Sequence, residues 1–242
     1  MGRVLLSGGC LGMKAPVTGI PAGTLAVRAT VKVPVNGAAR EFIVIHQGRP
    51  AAMYDESCNG TWLLMKDCYE NRQWHSSNNN DCAASTIHSY LNGAFLNLFD
   101  ANIQAAIKQV KIPYRKNGGS GGTDQTGANG LSCKVFLLSG YEVGWTTSTS
   151  SYFPVDGAKL SYFEAGTGSS ADNKRIAKLN GSATSWWLRS PHTGSTSYVW
   201  GVHSSGAYYH SLAGNSNGVR PALVLDSAAL FDKNTLVLKG VA

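Results

Sequence analysis

WWLRSP, at residues 186–191, holds the strongest indication of how this chain folds. Its apolar part, Trp186-Trp187-Leu188, has the length of a short strand, and Ala222-Leu223-Val224-Leu225 is a second apolar run of the same kind. Each run adjoins an arginine and a proline. Short apolar runs between residues that interrupt regular structure are typical of buried strands. We therefore predict two core strands that flank the segment between them.

The segment between these runs, residues 192–217, has an unusual composition. It contains six Ser, four Gly, three Tyr, three His, two Asn and one Trp, and none of its residues carries a fixed charge. Antibody binding loops favour such a mixture, because Tyr and Trp offer large rigid contacts while Ser, Gly and Asn hydrogen-bond adaptably. We therefore predict a recognition surface. A second interpretation stays open: Gly-rich turns whose apolar residues, chiefly Val199, Val202 and Leu212, pack on the sheet.

Catalysis and metal binding are not favoured for this segment. His192, His203 and His210 lie near serines, but a Ser/His pair needs a carboxylate and an oxyanion hole. The segment has no acidic residue and no G-x-S-x-G motif. The histidine spacings of eleven and seven residues match no familiar metal-ligand pattern. We therefore predict a protein that is not an enzyme, with no catalytic residue, no metal and no cofactor.

Other regions have recognisable patterns of their own. Residues 24–45 alternate as strands do, and Asn36-Gly37 is a strong two-residue turn, so a β-hairpin is predicted there. Apolar residues recur every three or four positions over residues 83–99, which indicates a helix. A similar stripe predicts a second helix between residues 100 and 113. The short apolar run at residues 134–139 predicts a buried strand.

Composition and charge exclude several classes of protein. Charged residues are only 14% of the 242, against roughly a quarter in average proteins, so the surface is predicted to be largely neutral. The net charge is +7, but the only adjacent basic pairs are Arg115-Lys116 and Lys174-Arg175, so nucleic acid is not expected as a partner. No apolar run approaches the roughly 20 residues of a membrane span, so membrane insertion is not expected.

Cysteine usage and the start of the chain bear on the compartment. Five cysteines, an odd number without a CxxC pair, indicate buried thiols of a protein made in the cytoplasm. One disulfide, between Cys58 and Cys68, is left open. The apolar start at residues 4–6 is broken by Ser7-Gly8-Gly9, so no evident signal peptide is predicted.

Four motifs together resemble a known family. They are STIHSYLN at residues 85–92, VFLLS at 135–139, WWLRSP at 186–191 and GVRPAL at 218–223. The combination is similar to the C-type-lectin-like domains of phage and bacterial variable proteins of diversity-generating retroelements. This resemblance implies an α+β, C-type lectin-like fold with short twisted antiparallel strands, two helices and long irregular loops. It also implies a ligand-binding domain over residues 35–242, with residues 1–34 as an N-terminal strand or extension packed on it.

The same resemblance implies roles for individual residues. In that family a C-terminal stretch is hypervariable and faces the ligand, and ten positions here correspond to it: Ser197, Tyr198, Trp200, His203, Ser204, Tyr208, Tyr209, His210, Ser211 and Asn215. Four residues would support the fold instead: Trp186, Trp187, Arg189 and Arg220. The two arginines are expected to bond backbone carbonyls or a buried acid such as Glu142.

The resemblance finally implies a function. It predicts a ligand- or receptor-binding phage or prophage protein that binds a host-surface protein or glycan, located in the virion, at the tail, or at a cell surface. The alternative is a structural subunit of a virion or cell envelope that uses the same segment for self-assembly, and homo-oligomer formation is left open. An enzyme related to formylglycine-generating proteins would need a reactive cysteine, and Cys133, beside an apolar strand, is predicted to be inert.

Overall fold

Strands dominate the structure. The computed structural model describes residues 18–165 and 173–241, in which strands account for 36% of the residues and helical turns of every kind for 14%. The α-helices of this part of the chain are two, and each is shorter than two turns. The prediction of an α+β, C-type lectin-like fold is therefore wrong, and the architecture is β-rich. The two stretches with helical periodicity, residues 83–99 and 100–113, form short helical turns and, in the second stretch, also a strand.

The secondary structure consists of many short elements. The strands are β1 (Ile20–Pro21), β2 (Thr30–Val35), β3 (Ala38–Gln47), β4 (Thr61–Met65), β5 (Glu70–Gln73), β6 (Val110–Ile112), β7 (Tyr114–Lys116), β8 (Thr123–Gln125), β9 (Leu131–Cys133), β10 (Val135–Phe136), β11 (Ala177–Leu179), β12 (Ser182–Thr184), β13 (Trp186–Pro191), β14 (Tyr198–Val202), β15 (Tyr208–Leu212), β16 (Ser216–Val219), β17 (Ala222–Leu225), β18 (Leu230–Phe231) and β19 (Leu238–Gly240). The α-helices are α1 (Thr86–Tyr90) and α2 (Ala101–Ala106). Single 3-10 turns cover Ala22–Thr24, Glu56–Cys58, Cys82–Ala84, Leu96–Leu98 and Gly127–Asn129, and a π-helical turn covers Leu91–Phe95.

A five-stranded sheet with the order β10-β17-β4-β3-β2 contains the predicted hairpin. The β2–β3 turn falls at Asn36 and Gly37, whose φ angles of 50° and 71° are the positive values that a tight hairpin turn requires. The hairpin prediction is confirmed. β2 pairs with β3 along its whole length, so the predicted domain boundary after residue 34 falls inside a paired strand. Residues 1–17 of the predicted N-terminal extension lie outside the described residues.

A second five-stranded sheet, with the order β15-β14-β13-β16-β5, carries most of the segment at residues 192–217. The two predicted core strands are β13 and β17, and every residue in them is buried. They belong to different sheets: β13 pairs with β14 and β17 pairs with β4. The chain between them therefore folds into β14, β15 and β16, of which β14 and β16 pair with β13.

The central strands of both large sheets are buried on both faces. Alternate residues of β4 belong to different hydrophobic clusters, with Leu63 in one and Trp62 and Leu64 in the other. β13 shows the same division between Trp187 and its neighbour Trp186. Because successive side chains of a strand point to opposite faces, each cluster covers one face of these central strands. Arg189 is the one charged residue in β4 and β13.

The helical region differs from its prediction in extent. Ser85 caps α1, with its side chain accepting a hydrogen bond from the His88 amide at 3.1 Å, and helical turns of three kinds follow through residue 98. The second helix ends at Ala106. Ile107 instead forms a β-bridge with Leu225, and Val110 begins β6, so the predicted helix over residues 100–113 is too long. Pairing with strands overrides a helical apolar spacing here.

Four cysteines of the described chain are free and buried: Cys58, Cys68, Cys82 and Cys133. The disulfide considered between Cys58 and Cys68 is not formed. Burial raises the pKa of every one of these thiols, to about 11 for Cys58 and to about 12 for Cys68. They are therefore protonated at neutral pH. Cys10 lies outside the described residues.

No helix within residues 18–165 and 173–241 is long and apolar enough to cross a bilayer.

Candidate functional site

Arg189, at the centre of β13, anchors the loops around the candidate site. Its guanidinium donates two hydrogen bonds to the Glu142 carboxylate, at 2.5 and 2.7 Å, and further ones to the carbonyls of Pro113, Leu137 and Asp156. Both side chains of this ion pair are buried. Arg189 thus bonds the acid that the sequence analysis names, together with backbone carbonyls. A bidentate pair of this kind fixes the position of the Glu142 segment relative to β13.

The other three residues expected to support the fold are also buried. The indole N–H of Trp186 donates to the Arg175 carbonyl, and that of Trp187 donates to the Arg72 carbonyl, each at 2.9 Å. The guanidinium of Arg220 bonds backbone carbonyls and lies 4.9 Å from the centre of the Trp186 ring. Strand β13 is thereby fixed on both of its faces.

Asp156 is a second buried acid in this network. Its Oδ2 accepts a hydrogen bond from Ser190 at 2.7 Å, and its Oδ1 has no partner among the described residues. Burial raises the pKa of Asp156 to about 7, although Arg189 and Ser190 oppose the shift. The Arg189 guanidinium pairs with Glu142 and bonds only the backbone carbonyl of Asp156, so the Asp156 carboxylate is ionised only at a cost in stability.

This arrangement predicts an unusual pH dependence for stability. Between pH 4 and 7 the native state holds a proton on Asp156 that the unfolded chain has lost, so this group's contribution to stability falls as the pH rises. The free energy of unfolding of Asp156→Asn should therefore rise relative to that of the wild type when the pH is raised from 4.5 to 8. The expected rise is roughly 2–4 kcal/mol, since one pKa unit corresponds to about 1.4 kcal/mol. Urea unfolding at both pH values measures the difference. Asp100→Asn, at an exposed position, is the control and should show no such gain. The prediction is contradicted if the difference in unfolding free energy between Asp156→Asn and the wild type is the same at both pH values.

Strands β14 and β15 build the surface that the sequence analysis singles out. Their pairing sets Tyr198 opposite Leu212, Trp200 opposite His210 and Val202 opposite Tyr208. Because side chains alternate along a strand, these six lie on one face of the hairpin. The turn between the strands contains Gly206, whose φ of 88° favours glycine.

Aromatic rings on this face form a continuous stack from the core to the surface. The buried ring of Phe153 stacks on Trp200 at 4.2 Å, Trp200 stacks on His192 at 5.1 Å, and His192 stacks on Tyr152 at 4.4 Å. His210 meets Trp200 and Tyr198 edge-on, at 5.4 and 5.1 Å. We call the four outer rings, Tyr152, His192, Tyr198 and His210, the aromatic patch.

The outer rings of the patch are available to a ligand. Tyr152 is 50% exposed and Tyr198 is 38% exposed, which places them among the few large hydrophobic residues at the surface. His210 is exposed and His192 is half-buried. Burial, with the nearby His210, lowers the pKa of His192, so that its ring is uncharged at neutral pH. The patch therefore offers ring faces and neutral hydrogen-bonding groups.

The ten positions predicted to face a ligand differ in exposure. The exposed ones are Tyr198, His203, His210 and Asn215, and the half-buried ones are Ser197, Ser204, Tyr208, Tyr209 and Ser211. Trp200 is only 2% exposed, so its assignment as a ligand-facing residue is wrong. It is covered by Phe153 and the outer rings and supports the patch from below.

The predicted positions also fall on both faces of the hairpin. Tyr209 packs against Gly201 on the face opposite to Trp200, where its ring lies 6.0 Å from that of His203. This pair is separated from the patch by the strands themselves. Val199 and Val202 are buried as their packing interpretation expects, whereas Leu212 is only half-buried.

Sequence reasoning missed Tyr152, the most exposed ring of the patch. It lies about 40 residues before the segment at 192–217 and reaches the patch because the Trp200 indole N–H donates to its carbonyl at 3.0 Å. A signal was present: residues 145–152, WTTSTSSY, have the same neutral, hydroxyl-rich and aromatic composition as residues 192–217. Two chain segments of like composition therefore meet at one surface.

Phenol and imidazole groups are the polar side-chain groups of the patch. Its side chains include no carboxylate, and no group of three or more His, Cys, Asp or Glu suited to hold a metal ion occurs within residues 18–165 and 173–241. Neutral rings with hydroxyl and imidazole groups can instead stack against sugar rings or protein side chains and hydrogen-bond to them. The arrangement is suited to binding.

Comparison with known proteins identifies the family of the chain. Residues 59–227 match the family described as "Domain of unknown function (DUF6273)", and since this is more than half of the chain, the chain belongs to that family. The comparison found no matching curated protein and no matching solved structure. No match links the chain to C-type-lectin-like domains or to retroelement variable proteins.

Proposed function

We propose that this protein is a ligand-binding protein and that the aromatic patch is the surface that contacts its ligand. The observation that carries the proposal is the ring stack, in which half-exposed Tyr152 and the neighbouring His192 rest on buried Trp200. Exposed aromatic side chains that are held in place from below are frequent centres of binding energy. The expected ligand is a neutral or weakly charged protein surface or glycan.

The geometry reduces the entropic cost of binding. Trp200 is held by stacking on Phe153 and by its hydrogen bond to the Tyr152 carbonyl. The Asn80 side chain donates to the carbonyls of Ser195 and Tyr198, each at 2.8 Å, and so fixes the loop that leads into β14. Groups that are already ordered in the free protein lose little freedom when a ligand binds.

The resemblance of the sequence motifs supports a more specific version of this proposal. It suggests a phage or prophage protein whose ligand is a protein or glycan of the host surface, and it suggests that exposed positions of β14 and β15 vary between copies. Exposed positions suit variation, because surface substitutions usually change stability by less than about 0.5 kcal/mol.

The proposal predicts a large loss of binding from substitutions that leave the fold intact. Tyr152→Ala and Tyr198→Ala should each weaken binding by roughly 10- to 30-fold, because a central aromatic residue contributes about 2 kcal/mol. The fluorescently labelled full chain is titrated onto a panel of bacterial cells, before and after protease or periodate treatment, which separates protein from glycan ligands. Val155→Ala, at another exposed apolar residue, is the control and should bind as the wild type does. Equal binding by all three variants would exclude the patch as the binding surface.

Self-assembly is the second candidate, and one observation favours it. β15 is the edge strand of its sheet, and its outer edge pairs with no other strand of the described chain. An open edge is a template for pairing with another copy. The solution mass distinguishes the candidates: a tight homo-oligomer that protects the β15 amides from hydrogen exchange would favour the structural role, and a monomer would favour ligand binding.

A further inference from the structure

A cavity lies away from the aromatic patch. It has a volume of about 440 Å³, and four of its lining side chains are basic: Lys66, Lys174, Lys178 and Arg220. Tyr162 and two isoleucines supply its less polar wall, and Asp67 is its only acidic lining residue. No residue of the aromatic patch lines it. The cavity therefore combines an excess of positive charge with room for a small molecule.

Arg220 is a buried cation that has no carboxylate counter-ion in the described part of the chain. Its Nε and Nη2 donate to the carbonyls of Met65 and Lys66, both at 2.9 Å, and no carboxylate of the described residues lies within ion-pair distance. Arg189 provides the contrast. Burial lowers the pKa of Arg189 too, but Glu142 more than offsets the effect and raises it, whereas the pKa of Arg220 stays lowered by burial.

The neutral carbonyls leave part of the Arg220 guanidinium unused. A guanidinium has five N–H donors, and among the described residues Nη1 has one hydrogen bond, a long one of 3.4 Å to the Arg175 carbonyl. Removing a charge from water is unfavourable unless an opposite charge compensates it. An anion that entered the cavity would supply that compensation, and the oxygens of a carboxylate or phosphate match the donor geometry of arginine.

Of the three lysines that line the cavity, Lys178 adds most to this preference, because glutamates compensate the other two. Lys178 has an exposed side chain and forms no ion pair within the described ranges. Lys66 and Lys174 each pair with a glutamate outside the cavity lining, Glu41 and Glu164. The carboxylate of Asp67 accepts a hydrogen bond from the Lys178 backbone amide at 2.9 Å, so one of its oxygens is already engaged.

We infer that this cavity binds the oxyanion group, carboxylate, sulfate or phosphate, of a small molecule, with Lys178 as its exposed cationic contact and Arg220, which is 1% exposed, as the buried charge of its wall. The apolar wall at Tyr162 contacts the rest of the ligand. The inference concerns a site separate from the aromatic patch and does not depend on the function proposed for the patch.

Titration with simple anions tests the inference. The full chain is titrated with inorganic phosphate, inorganic sulfate and glucuronate at constant ionic strength, with glucose as the neutral probe, and amide chemical shifts are recorded. At least one anion should bind saturably at millimolar concentrations and shift the resonances of residues that line the cavity. Glucose should shift none of them. The anion that binds best identifies the preferred oxyanion.

Charge variants make the test specific. Lys178→Gln should weaken anion binding by about five- to tenfold, and Asp67→Asn should strengthen it severalfold, because these changes remove an attractive and a repulsive charge. Lys233→Gln removes the same charge at an exposed position outside the cavity lining and should leave binding unchanged. All these positions tolerate substitution better than buried Arg220. The inference is overturned if no anion binds saturably at tens of millimolar, or if Lys178→Gln and Lys233→Gln weaken binding equally.

Discussion

Glu142→Ala is expected to lower the free energy of unfolding by about 3–5 kcal/mol, because it leaves a buried guanidinium without its counter-ion. Glu142 accepts four hydrogen bonds: two from Arg189, one from the Tyr54 hydroxyl at 2.7 Å and one from the Ser139 amide at 2.9 Å. An alanine at that position accepts none of these hydrogen bonds through its side chain. Urea unfolding at pH 7 measures the loss.

An exposed ion pair provides the control for this prediction. Glu56 pairs with Arg49, but the Glu56 side chain is 77% exposed. Glu56→Ala should therefore cost at most about 1 kcal/mol, as is usual for solvent-exposed pairs. If Glu142→Ala cost no more than Glu56→Ala, Arg189 would not depend on this carboxylate. Arg189→Met combined with Glu142→Leu should recover part of the loss, because it removes the unpaired charge.

Trp200→Ala should cost about 3–5 kcal/mol in unfolding free energy, although it lies in the segment with the composition of a recognition loop. The indole is 2% exposed, stacks on Phe153 and bonds the Tyr152 carbonyl, so its loss leaves a cavity and removes one of the two hydrogen bonds that this carbonyl accepts. The outer rings would also lose their support. Trp200→Ala should therefore lower the melting temperature in thermal unfolding, and it should also weaken ligand binding.

Tyr198→Ala is the matched control for Trp200→Ala. It lies on the same strand and the same face, two residues away, but it is 38% exposed. We expect it to cost about 1 kcal/mol or less in stability. Equal losses from the two variants would mean that Trp200 does not support the fold in the way the ring stack indicates.

Local signals in the sequence predicted local structure well. Asn36-Gly37 predicted its hairpin because two adjacent residues that tolerate positive φ, placed between stretches of alternating apolar residues, are typical of a two-residue turn. The apolar runs at residues 186–188 and 222–225 predicted buried strands because short apolar runs between residues that interrupt regular structure are typical of such strands. The resemblance implied that Arg189 and Arg220 bond backbone carbonyls or a buried acid; Arg189 bonds both kinds of group, and Arg220 bonds carbonyls.

The errors concern contacts between distant parts of the chain. A stripe that includes Ile103 and Ile107 fits a helix, but Ile107 pairs with Leu225, which is more than 100 residues away. The alternation of β14 places Tyr198 and Trp200 on one face, and only the packing of Phe153 decides which of them is covered. Periodicity contains no information on such contacts. The fold class followed from motif resemblance, and the strand content of residues 18–165 and 173–241 overturns it.

The β2–β3 hairpin has a consequence for where the folding unit begins. It spans residues 30–47, before the family-matched stretch at 59–227, yet β3 pairs with the fully buried strand β4. A fragment cut to the matched stretch would expose the backbone edge of β4 and one side of its apolar residues to solvent. Open apolar edges promote aggregation. The unit capable of independent folding is therefore longer than the family match, and relatives require an equivalent pair of strands, or another cover, over that edge.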